Sequence, residues 1–99
     1  MPDPMSIHHP NGVPNHAAVT LGNLTVFFSF EAPIAFQVHG DRLFLRTNRW
    51  GNSTKRHYNG LKTSHPVYTE LSEEQFLEHL SQDLENVGAY LRFQRRKVA

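Results

Sequence analysis

The sequence has no cysteine, and that one absence removes disulfide staples, thiolate zinc ligands and thiol nucleophiles together. Such a chain is compatible with a reducing compartment, and a cytoplasmic location is expected. No stretch approaches the ~18 consecutive apolar residues of a membrane-spanning helix, so no membrane segment is expected. The first residues lack a basic start followed by an apolar run of roughly 7 to 15 residues, and so do not read as a signal peptide. Internal repeats, heptad arrays, any His-Glu-x-x-His pair, and helix-turn-helix, ribonucleoprotein and zinc-finger signatures are also missing.

What is present fits one small domain. The chain has 99 residues, of which 38% are hydrophobic and 11% aromatic. At this length a folded chain buries only roughly 60 to 65% of its unfolded surface. The core is therefore small, and seven Phe, three Tyr and one Trp supply much of it. The net charge of +1 hides a segregation: Arg42, Arg46, Arg49, Lys55, Arg56 and Lys62 occur with no acid among them. Glu70, Glu73, Glu74, Glu78, Asp83 and Glu85 follow without a Lys or Arg, and Arg92, Arg95, Arg96 and Lys97 close the chain. Blocks like these build a polarised surface for an anionic partner, or else face one another within the fold or an oligomer.

Residues 1–22 hold Pro2, Pro4, Pro10 and Pro14, with neither a helical nor a strand period, and read as a flexible Pro/His-rich arm. Residues 23–91 read as a single α+β domain, and 92–99 as a basic C-terminal tail. Leu24, Val26, Phe28 and Phe30 alternate with Thr25, Phe27 and Ser29 at the two-residue period of a strand. Pro33 cannot donate to a ladder, so Glu31-Ala32-Pro33 marks a turn or bulge. Ile34, Phe36 and Val38 form a second strand, His39-Gly40-Asp41 a tight turn, and Leu43 to Leu45 a third strand. Asn52 or Ser53 caps a short helix that Gly60 terminates near Asn59. A loop through Lys62 to Tyr68 leads to the best-marked helix. There Ser72 and Gln75 form a capping box, Leu71 and Phe76 a hydrophobic staple, and Glu73 and Glu74 complement the helix dipole. Phe76, Leu77, Leu80, Leu84, Val87 and Leu91 make its apolar stripe, and Gly88 is a candidate stop. The expected architecture is a three- to four-stranded antiparallel sheet packed against this amphipathic helix, with a short helix after the third strand.

Two segments carry a resemblance. Phe28-Ser29-Phe30-Glu31-Ala32-Pro33-Ile34-Ala35-Phe36 is similar to an aromatic-Ser-aromatic, x, Thr-Pro, apolar-Ala-Phe pattern. Asn48-Arg49-Trp50, followed by Thr54-Lys55-Arg56-His57-Tyr58-Asn59, is similar to an Asn-x-Trp, Thr-x-Lys-His-x-Asn pattern. Both patterns belong to a family of small proteins of bacteriophages and other mobile elements. The match covers roughly residues 24 to 61 and departs from the family at Ala32, more often Thr, and at Arg56, more often Lys. Ala32 removes any hydroxyl from that turn, while Arg56 keeps the charge. The resemblance implies a mobile-element origin and a unit of three strands and a helix, and it implies no activity.

Thr54 and His57, three apart on a helix, share a face, which is how a base would reach a bound group. A capping Thr and a packed His account for the same residues, and no acid lies nearby in sequence to orient the imidazole. No catalytic residue, cofactor or native metal site is therefore expected, and His8, His9 and His16 in the arm suit only adventitious metal binding. Trp50 either stacks on a base or anchors an interface, or it plugs the core. The expected binding set is Arg46, Arg49, Trp50, Lys55, Arg56, His57 and Tyr58. The preferred function is a non-enzymatic phage or mobile-element protein that occupies a host protein complex in the host cytoplasm, as an anti-CRISPR-like inhibitor of defence does. The alternative is a nucleic-acid-binding regulator using the basic 42–62 segment.

Overall fold

The structure, a computed structural model, describes residues 5–9, 15–48 and 51–98, with side chains given for all of these except 5, 53 and 89–98. The chain is α+β, as its sequence implies, but the sheet is larger and mixed. Six strands lie side by side in chain order: β1 (Met5–His8), β2 (His16–Leu21), β3 (Leu24–Ser29), β4 (Ala32–Val38), β5 (Leu43–Arg46) and β6 (Tyr68–Leu71). The first five are antiparallel, and β6 runs parallel to β5 after helix α1 (Asn52–Ser64). Helix α2 (Glu73–Val98) completes the chain.

Among the described residues of the segment read as an arm, 5–8 and 16–21 are sheet. β1 and β2 pair antiparallel, with Ile7 opposite Val19, and β2 adds to β3 through His16 opposite Ser29 and Ala18 opposite Phe27. Two alanines stand opposite two phenylalanines, Ala17 with Phe28 and Ala18 with Phe27, so small side chains make room for large ones. Gly22, at φ +61, makes the tight return into β3, and Gly40, at φ +87, makes the expected turn before β5.

Pro33 sits where pairing becomes irregular: Phe27 opposes Ala35 while Phe28 opposes Pro33, so Ile34 is the extra residue of a β-bulge. The bulge turns Ile34 and Ala35 to one face, and both are fully buried in one cluster.

The sheet is covered on both sides, so there are two cores. Under α1, Tyr58 and Leu61 pack on Ala18, Phe27, Ile34, Ala35, Leu43 and Leu45. Under α2, Phe76, Leu80 and Val87 pack on Leu24, Val26 and Phe36, with Phe44 and Leu71 at the margin. The capping box forms as expected: Ser72 N–H donates to Gln75 Oε1 and Gln75 N–H to Ser72 Oγ, both at 3.2 Å.

Both helices outrun the stops read from sequence. α1 continues through Gly60, because Thr54, His57, Tyr58 and Leu61 form a buried i, i+3, i+4, i+7 stripe whose last member lies beyond the glycine. Its N-cap is Gly51, one residue before the expected cap position at Asn52 or Ser53, and glycine offers no side-chain cap. α2 passes Gly88 and includes the basic segment read as a tail. Its buried stripe is narrower than expected: Leu77 and Leu84 face solvent.

Candidate functional site

Helix α1 presents its polar stripe to the end of β3, where Ser29 precedes a two-residue turn. Ser29 Oγ lies 2.6 Å from His57 Nδ1 and 3.0 Å from Thr54 Oγ1, and all three residues are buried. A hydroxyl carries one proton and two lone pairs, so Ser29 donates to at most one of these partners and accepts from the rest, and this three-member chain ties α1 to the sheet. The expected shared face of Thr54 and His57 is real, but it points into the fold.

Strand pairing adds a second imidazole. His16 stands opposite Ser29 in the register, and its ring stacks on that of His57 with centroids 4.6 Å apart and planes 18° from parallel. His16 is only 3% exposed, and its Nε2 has no hydrogen-bond partner among the described residues. Burial, reinforced by His57, His8 and His9, pushes its pKa down from 6.5 to about 4. At neutral pH the ring is therefore uncharged.

The turn after Ser29 holds an anomaly. Phe30 adopts φ +56, a left-handed conformation that a bulky side chain rarely takes, and it is 53% exposed. Its N–H donates to Asn15 O at 2.6 Å, and its ring lies 6.0 Å from that of His57. The turn's geometry thus holds an aromatic side chain out into water beside the stripe of α1.

The expected binding set is dispersed. Lys55 and Arg56 are exposed on α1. His57 and Tyr58 are buried, and so is Arg46; these three face the interior rather than a partner. Arg46 pairs with Glu73, donates to Pro33 O at 3.3 Å and lies 5.8 Å above the Phe76 ring, so one basic and one acidic block do meet within the fold. Tyr58 donates to Arg46 O, and burial pushes its phenol pKa up to about 12. Arg49 and Trp50 lie outside the described residues. Of the remaining cations, Arg42 donates to Thr69 Oγ1 at 2.9 Å and Lys62 lies over the Tyr68 ring at 5.5 Å. The basic segment is therefore not one continuous positive face.

Sequence reasoning missed His16, Ser29 and Phe30. Ser29 and Phe30 lay inside the aromatic-Ser-aromatic pattern, but their roles depend on contacts with residues far along the chain. Among the described residues, no group of three or more His, Asp or Glu is placed to hold a metal ion. None of the helices is long and apolar enough to cross a membrane, again among the described residues. Comparison of the chain with family models, curated proteins and solved structures finds no match.

Proposed function

We propose that this protein acts by binding a protein partner, with Phe30 as the anchor and the exposed Lys55 of α1 as a charged contact. The observation that carries this reading is Phe30 itself: an aromatic ring held half-exposed by a left-handed backbone. Such a conformation costs on the order of 1 to 3 kcal/mol and is retained where it serves a function. Aromatic anchors at the centre of a patch, flanked by charge, dominate binding energy at protein interfaces. The buried Ser29, Thr54 and His57 then support the patch by fixing the turn to α1. The likeness of residues 24 to 61 to small mobile-element proteins supports a host complex as the partner, of the kind that handles nucleic acid in defence.

Phe30→Asn separates the role of the side chain from that of the fold, because Asn tolerates the left-handed region. The variant is expected to be as stable as the parent or about 1 kcal/mol more stable by denaturant unfolding. Capture from host lysate should yield a stoichiometric protein with the parent, and at least ten times less with Phe30→Asn. Equal capture by the two proteins, or no stoichiometric partner at all, overturns the proposal. Steeply salt-dependent binding to nucleic-acid probes in place of protein capture would favour the regulator reading instead.

A further inference from the structure

Between α1 and the sheet lies a cavity of about 300 Å³. Its lining has a one-sided chemistry: Arg56 and four imidazoles, those of His8, His16, His57 and His65, with no carboxylate among the described residues. Phe27 and Leu61 supply apolar wall, and the hydroxyl-bearing Thr25 and Ser64 face the same space. His16 is the deepest imidazole in this wall. The residue is only 3% exposed, so the ring is screened from bulk water yet forms part of the cavity wall beside His57. The size lies at the lower end of small-molecule sites, which run from about 300 to 1,000 Å³.

We propose that this cavity binds a small phosphomonoester, up to the size of a mononucleotide, with its phosphate held by Arg56 among the surrounding histidines and its organic part packed on Phe27 and Leu61. A tetrahedral anion suits the site better than a planar carboxylate, because polar groups line it from several elements: His8 of β1, His16 of β2, Gln37 of β4, and Arg56, His57 and Ser64 of α1. A lining with a guanidinium and four imidazoles and no carboxylate favours an anion, so a phosphate there completes charge as well as hydrogen bonding. The same logic couples binding to protonation. Desolvation and the neighbouring histidines hold the His16 ring neutral in the free protein, and an anion in the cavity beside it favours the charged form. The groups facing it are His8 and His9 from β1 and Arg56 and His57 from α1, with His65 at the helix end. Ligand binding is thus accompanied by an upward shift of the His16 pKa.

Gly60 provides a clean block. It lines the cavity, and a Cβ built there meets nothing within 4 Å, so a longer side chain enters open space rather than colliding with the fold. Gly60→Met, a good helix former in a helix interior, fills the cavity while leaving Phe30 and Lys55 untouched. This proposal can therefore fail or succeed independently of the partner-binding surface.

The test titrates inorganic phosphate, a nucleoside 5′-monophosphate and the unphosphorylated nucleoside into histidine-labelled protein at constant ionic strength, following the ring nitrogens by nuclear magnetic resonance. The monophosphate is expected to move the His16 signals saturably and raise their titration midpoint from about 4. It should bind roughly tenfold or more tightly than inorganic phosphate. Arg56→Gln should weaken binding at least tenfold, and Gly60→Met should abolish it with the unfolding midpoint unchanged or raised. The proposal is overturned if the His16 signals stay still at millimolar ligand, as they would around bound water alone. It is equally overturned if the nucleoside binds as well as its monophosphate, or if Gly60→Met binds like the parent.

Discussion

On the side of the sheet covered by α2, rings meet rings: Phe36 stacks on Phe44 at 5.3 Å and meets Phe76 at 5.2 Å. On the side covered by α1, the same strands offer Ser29, Thr25, Gln37 and His16, and the helix answers with Thr54, His57 and Arg56. One face is filled, and the other contains a cavity. The difference follows from strand periodicity, since alternate residues of β3 go to opposite sides: Leu24, Val26 and Phe28 to α2, and Thr25, Phe27 and Ser29 to α1. Each face carries its own apolar cluster, and the α1 face adds polar groups and a cavity at the edge of its cluster.

The largest effect expected from this division is on the α2 side. Phe36 is fully buried and touches both neighbouring rings, so Phe36→Ala should cost about 3 to 5 kcal/mol in denaturant unfolding. A loss below about 1 kcal/mol would show that the α2 face is not the main source of stability.

The second effect is on the α1 side and depends on pH. The folded His16 has a pKa of about 4 against 6.5 when unfolded, so between these values the unfolded chain binds more protons. Stability is therefore fully present above about pH 6.5 and falls as pH drops toward 4, by up to about 3 kcal/mol from this group. Asp83 acts with the opposite sign, because burial raises its pKa and favours the protonated folded form in acid. The His16 part is thus read as a difference: His16→Gln should flatten the acid slope between pH 6.5 and 4. Parallel slopes for parent and variant would remove His16 as its source.

The two faces also differ in how much of them could be read from the sequence. The α2 face was largely legible, because alternation in β3 and β4, the Ser72 capping box and the Phe76, Leu80, Val87 spacing are local patterns with local causes. The α1 face was not. β2 reads His16-Ala17-Ala18, whose inward residues are a polar ring and a small side chain, so the hydrophobic pattern that announces a strand is absent. β6 has four residues with two half-buried, and it exists as a strand only through parallel pairing with β5 across α1. Gly60 and Gly88 looked like stops because glycine is a poor helix former, but packing of residues beyond Gly60, such as Leu61, outweighs a cost of about 1 kcal/mol. The candidate site combines these failures. His16 meets His57 only once β2 lies on β3 and α1 lies on both, and no sequence spacing encodes that contact.

The smallest effect tests what holds α1 in place. Ser29→Ala removes one oxygen and leaves two buried polar groups, Thr54 Oγ1 and His57 Nδ1, without the partner they share. Removing one partner of a buried hydrogen bond costs about 1 to 3 kcal/mol, more than the bond contributes net, because the orphaned groups stay desolvated. Ser72→Ala on the α2 side is the matched control: it deletes a hydroxyl of the same kind from an exposed cap, where water replaces it, at about 1 kcal/mol. A larger loss for Ser29→Ala, together with perturbed His57 ring signals in nuclear magnetic resonance, would show that the polar chain fixes the helix against the sheet. Equal losses would mean that water reaches Ser29, so that Tyr58 and Leu61 alone hold α1. The polar stripe would then be available to a ligand rather than committed to the fold.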